Sequence, residues 1–315
     1  MLKKESKIFV AGHRGLVGSA IYRKLLADGY TNIVVRTRQE LDLMDQHGVY
    51  SFLQNEKPDV VIMAAAKVGG IHANSTYPAD FIGLNLTMEA NLIWGAHLAD
   101  VPHFQFLGSS CIYPRETSQP IPENSMLTGK PEPTNAPYAM AKIAGLTMCE
   151  AISNQYDRNY YTVIPPNIYG PGDNYDLSTS HVMPALIRKF HEAKEDNHRA
   201  VECWGTGKAK REFLYSEDVA DACIFLMNQP RVTGHINVGT GTSISVFDLA
   251  HVVQKVIGHE GEIRWNSNYP DGFPEKTMDV SRLYTMGWRP RISLEQGIGH
   301  AYENFKESLL AGTLR

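Results

Sequence analysis

Apolar positions in this chain follow two patterns that alternate along it. Residues 7–10 (Lys-Ile-Phe-Val) form a short run, and Ile21, Leu25 and Leu26 then recur at helical spacing. Further runs at 32–35, 59–64, 104–108 and 161–164 read as strands, while 81–99 and 138–155 read as helices. Such alternation predicts an α/β fold, a Rossmann-type parallel sheet with helices on both faces. Ligands of such sheets sit beyond the carboxyl ends of the strands. Residues 64–67, 109–111 and 166–168 all fall at such ends, which points to one shared cleft.

Beyond Gly170-Pro171-Gly172-Asp173 the rhythm is less regular. Helices are predicted at 181–194, 219–227, 246–257 and about 294–309, with strands at 201–205 and 235–238. The chain then divides into a nucleotide-binding domain, 1–170 with about 213–258, and a smaller C-terminal substrate-binding domain, about 171–212 with 259–315.

The first strand runs into Gly12-His13-Arg14-Gly15-Leu16-Val17-Gly18 and a helix, the context that a dinucleotide fingerprint requires. Gly12 serves the tight turn, Gly15 the close approach of backbone to pyrophosphate, and Gly18 the packing of helix on strand. The second strand ends at Arg36-Thr37-Arg38. An acid there would bind a ribose 2′-hydroxyl. Guanidiniums, with Arg14 nearby, suit a 2′-phosphate instead, so the expected cofactor is NADP(H).

Composition narrows the picture. The 315 residues carry a net charge of -4, and no basic tract points to nucleic acid. No apolar run approaches a membrane span and no signal pattern opens the sequence, so no membrane association is expected. Cys111, Cys149, Cys203 and Cys223 are few and widely spaced, which reads as free thiols in a cytoplasmic protein. No Cys/His spacing resembles a metal site.

Chemistry enters with Tyr138-Ala-Met-Ala-Lys142, preceded by Ser109-Ser110-Cys111. A tyrosine and a lysine four apart share a helix face. The ammonium is expected to favour the phenolate and lower the tyrosine pKa. A Ser109 hydroxyl could hold a substrate carbonyl against that phenol, which makes the set a proton donor or acceptor for a sugar or alcohol oxygen.

These motifs, with 166–172 (Pro-Asn-Ile-Tyr-Gly-Pro-Gly), 211–220 (Arg-Glu-Phe-Leu-Tyr-Ser-Glu-Asp-Val-Ala) and 236–239 (Ile-Asn-Val-Gly), resemble the extended short-chain dehydrogenase/reductase family over nearly the whole chain. That family acts largely on nucleotide sugars. The longer strings at 11–18, 64–71, 108–114 and 180–186 are similar to those of its members that epimerise and reduce a GDP-linked 4-keto-6-deoxy sugar.

The resemblance implies a GDP-sugar substrate and catalysis by Ser109, Cys111, Tyr138, Lys142 and His181, with Cys111 as base and His181 as acid. It implies cofactor contacts at Ala65, Leu107, Gly108 and Pro165, and at Asn167, Ile168 and His181, besides the glycine loop, Tyr138 and Lys142. It places Asn167, Val182, Lys189, Trp204, Arg211, Asp271 and Lys276 against the substrate, with Ser109 and Cys111. It also implies a homodimer formed by the second apolar faces of the helices from Phe81 and Tyr138.

Overall fold

The computed structural model describes Leu2–Leu314. In chain order its first half holds β1 (Ile8–Ala11), α1 (Leu16–Ala27), β2 (Ile33–Val34), α2 (Gln46–Glu56), β3 (Val60–Met63), α3 (Ile71–Thr76), α4 (Pro78–Leu98), β4 (His103–Leu107), α5 (Ala136–Tyr156) and β5 (Asn159–Ile164). The second half holds β6 (Asn167–Tyr169), α6 (Val182–Glu195), β7 (Ala200–Trp204), β8 (Lys210–Arg211), β9 (Phe213–Tyr215), α7 (Ser216–Met227), β10 (His235–Asn237), β11 (Ile244–Ser245), α8 (Val246–Ile257), β12 (Glu262–Asn266), β13 (Glu275–Lys276), α9 (Ser281–Thr285) and α10 (Leu294–Leu310).

Six strands form one sheet in the order β2-β1-β3-β4-β5-β10, and every pairing is parallel. All of β1 is buried, because side chains alternate between two covered faces. Ile8 and Val10 pack with Ile21 and Leu25 of α1 and Val219 and Cys223 of α7. Phe9 and Ala11 pack with Leu53 of α2, Leu92 of α4 and Ile152 of α5. Each such side chain gives about 1.5–3 kcal/mol on burial, so neither face can be left bare. Strand order reverses at β1, and the crevice at its carboxyl end is where a doubly wound sheet binds its ligand.

A second core joins α6, α8 and α10 through Leu186, Phe190, Leu249, Val253, Ile298 and Phe305. The sequence pattern groups α8 with the nucleotide half; its apolar stripe packs here instead. Three short sheets are built from second-half strands: β6 with β9, β7 with β12, and β11-β8-β13.

Several elements depart from the hydrophobic pattern. The helix α2 is not predicted, since only Val49 and Leu53 of its eleven residues are buried. The helix α4 begins at Pro78 rather than 81, with proline in the first turn where its missing N–H costs nothing. Among the described residues no helix is long and apolar enough to cross a membrane.

Candidate active site

The chain turns at the end of β1 on Gly12, whose φ of +85° favours glycine. A Cβ there would also lie 2.6 Å from the Ala65 amide nitrogen, so Ala65 walls the same crevice. A Cβ on Gly18 would overlap the Gly12 carbonyl oxygen, which is how α1 approaches the sheet. Gly15 caps α1 with no side chain on the free amides, and Leu16 and Val17 begin the helix. Free amides at a helix N-terminus bind phosphate. Beside them the buried His13 Nδ1 has no hydrogen-bond partner. Burial first, then the Arg14 charge, lower the His13 pKa, which leaves a neutral ring. The loop therefore fits a dinucleotide by space, by free donors and by an unpaired polar atom.

The arginines after β2 are less free than the sequence implies. Arg36 donates to Glu56 Oε1 of α2 at 2.8 Å and to the Val35 carbonyl, and its guanidinium lies 5.2 Å from the centre of the Phe52 ring. Arg38 is exposed and 3.6 Å from Asp42. Glu40 accepts from the Thr37 amide and hydroxyl, and these bonds, with the charges of Arg36 and Arg14, hold its carboxyl low. Arg14, Arg36 and Glu40 thus share one patch. Arg36→Ala is expected to weaken NADPH binding about 10-fold or more, the scale of a charge-assisted hydrogen bond, and to leave NADH binding nearly unchanged. Isothermal titration with each cofactor checks this; equal losses for both would remove Arg36 from 2′-phosphate recognition.

At the end of β4, Leu107 and Gly108 lead into a tight turn. Gly108 donates to Val163 O, and the Ser110 amide donates to Pro165 O. Ser109 caps the turn, its Oγ accepting from the Cys111 amide at 3.3 Å. This brings the Cys111 thiol to the site as a free, half-buried cysteine. Asn135 Nδ2 donates to its Sγ at 3.2 Å, and Lys276 Nζ lies 3.7 Å away. Beyond β5, Asn167 Nδ2 is fixed on the Glu212 carbonyl and Ile168 packs on the main core.

Tyr138 and Lys142 lie one turn apart on α5, as the spacing predicts. Their electrostatics differ from that expectation. Lys142 is buried, donates to Leu107 O at 3.0 Å, and sits 3.1 Å from Glu89 Oε1 of α4. Its ammonium is 5.9 Å from the centre of the Tyr138 ring. Burial, then the Cys111 and Glu89 charges, push the Tyr138 phenol up, and a hydrogen bond with Ser109 only partly opposes them. In this state Tyr138 is a protonated phenol, a donor rather than a phenolate base.

His181 caps α6, with Val182 as its first residue. Desolvation by the surrounding protein, and then the Lys276 charge, lower the His181 pKa. Lys276 of β13 pairs in register with Arg211 of β8, so two cations stand side by side. The sequence places Lys276 only among basic diphosphate candidates; the fold sets it against Cys111 and beside His181.

Farther out, Lys189 donates to Glu202 O at 2.9 Å and lies 4.8 Å from the centre of the Trp204 ring. Trp204 stacks on Tyr269 with centroids 4.1 Å apart. Arg211 Nη2 donates to the Asp271 carbonyl at 2.8 Å. The carboxylate of Asp271 is not free: it accepts from the Thr206 amide and hydroxyl at 2.7 and 2.6 Å, and so clasps two loops. A cleft of ≈ 470 Å³ opens here, walled by Arg115, Glu132, Lys208, Asp271 and Gly272.

Asn135 and Glu89 are absent from the sequence-derived set. A polar residue before a helix signals only a cap, and Asn135 instead reaches Cys111. Glu89 does carry a signal, an acid within the apolar helix 81–99.

Comparison with known proteins finds relatives over nearly the whole chain. GDP-L-fucose synthase 1 of Arabidopsis thaliana is 52% identical over 303 residues, covering 96% of this chain and 94% of that protein. GDP-L-fucose synthase of Escherichia coli (strain K12) is 48% identical over 313 residues, covering 96% and 98%. Among solved structures, MlghC, a GDP-mannoheptose C4 reductase from Campylobacter jejuni with NADP bound, superposes with a TM-score of 0.89 at 36% identity, covering 97% of this chain and all of that one. Residues 8–239, from β1 to just beyond β10, match the NAD dependent epimerase/dehydratase family, and the chain belongs to that family.

Proposed function

We propose that this protein converts GDP-4-keto-6-deoxy-D-mannose to GDP-L-fucose, by epimerisation at C3 and C5 followed by NADPH-dependent reduction at C4. One observation carries the reading. The Cys111 thiol stands beside Lys276, which also acts on His181, one short turn from the Ser109–Tyr138–Lys142 set. Reduction alone needs only that set. A second acid/base pair around the same ketone is what epimerisation requires. The GDP-L-fucose synthases at about half identity support the same substrate.

The ketone at C4 acidifies the hydrogens on C3 and C5. Cys111 takes a proton from carbon and His181 returns one to the opposite face. Ser109 and Tyr138 hold the ketone oxygen and stabilise the enolate through hydrogen bonds aimed at the developing charge. When bound, NADPH supplies the hydride for C4. Tyr138, already protonated, gives its proton to the sugar oxygen. Lys189 and Arg211 face the diphosphate, and Trp204 offers an aromatic face at the rim of the cleft. Mixing the protein, NADPH and the keto-sugar tests the whole. Stoichiometric NADPH loss with GDP-L-fucose as product is expected; folded protein that leaves NADPH intact would reject the assignment.

We also read the protein as a homodimer. Trp94 and Leu98 of α4 and Met140 and Tyr156 of α5 are exposed apolar side chains on adjacent helices, and His97 makes tilted ring contacts with both Trp94 and Tyr156. Exposed patches of this kind are commonly interfaces. Light scattering at micromolar concentration should give twice the chain mass, and a monomer would reject it. Four unpaired thiols suit a reducing compartment, and the cytoplasm is the proposed location.

A further inference from the structure

Glu89, the partner of Lys142, has no part in the chemistry above. Both side chains are 2% exposed. Lys142 is the cation that acts on Glu89 among the described residues, and the second carboxylate oxygen, Oε2, has no hydrogen-bond partner. The surroundings are otherwise apolar. Phe106 of β4 lies under the ammonium, 4.5 Å from ring centre to Nζ. Gly145 of α5 makes room: a Cβ there would sit 2.8 Å from Phe106 and 3.0 Å from Glu89 Oε2. The other titratable groups facing the pair are Cys149 of α5, whose thiol burial pushes up, and Tyr138, with Cys111 and Ser109 across the site. Burial pushes the Glu89 carboxyl up, and the Lys142 charge and hydrogen bond oppose that push, so Lys142 is what favours the carboxylate here.

We infer that Glu89 is a positioning residue that sets the direction of proton transfer: by neutralising Lys142 beneath the site, it keeps the Tyr138 hydroxyl as a proton donor for a reductase. A lone ammonium at Lys142 would instead favour phenolate, the form that takes a proton from an alcohol in the oxidative direction. The carboxylate cancels that pull while leaving Lys142 in place on Leu107 O. This rests on the proposed C4 reduction, which consumes a proton at the sugar oxygen.

The sign follows. Reduction needs the phenol and is lost as pH rises through the Tyr138 pKa. Removing the Glu89 charge leaves the ammonium unbalanced, lowers that pKa, and moves the alkaline limb of kcat to lower pH.

The test uses the full chain without cofactor first. Phenolate absorbance, taken as the difference from Tyr138→Phe, is titrated in the wild-type protein and in Glu89→Gln. The Tyr138 titration should move to lower pH by about one unit in Glu89→Gln, an approximately tenfold loss of proton affinity. The alkaline limb of NADPH oxidation should move with it, and Glu89→Asp should restore it in part. Coincident titrations and limbs in wild type and Glu89→Gln would overturn the inference, even with a lower kcat. Should Glu89→Gln not fold, Glu89→Asp takes its place: a Tyr138 titration and alkaline limb shifted to lower pH support the inference, and unshifted ones overturn it. Wild-type protein that leaves NADPH unoxidised in the presence of keto-sugar rejects the reductase reading itself, and the cofactor-free titration still reports on Glu89.

Discussion

Serine in place of Cys111 is expected to slow solvent-deuterium exchange at C3 and C5 of the keto-sugar by about 10²–10⁴-fold, the usual worth of a positioned acid or base. The substitution keeps the turn, because Ser109 Oγ holds the Cys111 backbone amide and not its side chain. It keeps room for the Asn135 and Lys276 contacts as well. What changes is the proton affinity of the atom facing the sugar, since an alcohol ionises far less readily than a thiol. Ser109, Tyr138 and Lys142 remain, so reduction of the sugar that has not been epimerised should persist and yield an altered product. Exchange is read by mass spectrometry of recovered sugar nucleotide, and product stereochemistry by NMR. Full exchange at the wild-type rate would take Cys111 out of the mechanism.

The opposite separation is expected of Tyr138→Phe. NADPH oxidation should fall by roughly 10²–10⁴-fold, because the variant has no hydroxyl to give to the C4 oxygen. The ring keeps its edge contact with Phe81, 6.3 Å between centroids, so the packing of α5 on α4 survives. Exchange at C3 and C5 should suffer less, since Ser109 still binds the enolate oxygen. Stopped-flow absorbance of NADPH beside the exchange assay distinguishes the two steps. Equal losses in both would mean that Tyr138 only shapes the pocket.

The features legible in the sequence are those carried by local spacing. The strand, the glycine loop and α1 are contiguous, and the clash that a Cβ at Gly18 would meet lies only six residues away, at Gly12. Tyr138 and Lys142 share a face because helical geometry requires it. Features made by distant pairing were not legible. Lys276 reaches Cys111 only because the two-residue strands β13 and β8 align, and neither has a hydrophobic pattern to announce it. The expectation for Tyr138 failed for the same reason: burial by surrounding elements, then the charges of Cys111 and of Glu89 on α4, push the phenol up. Asp271 reads as a carboxylate for the nucleotide until Thr206 is seen to hold it. The apolar stripe of α8 says that a face is buried, but not against which core.

The register of β13 on β8 has a consequence for descent. The residues proposed to reduce the ketone, with Glu89 behind them, are rooted in β4, α4 and α5, whereas the cation beside Cys111 arrives from a strand near the end of the chain. A duplicated copy could therefore inherit the reductase unaltered and lose or retune epimerisation through changes in one short terminal strand. The two chemistries share the Ser109–Cys111 turn but not the Lys276 strand, so selection can act on that strand separately.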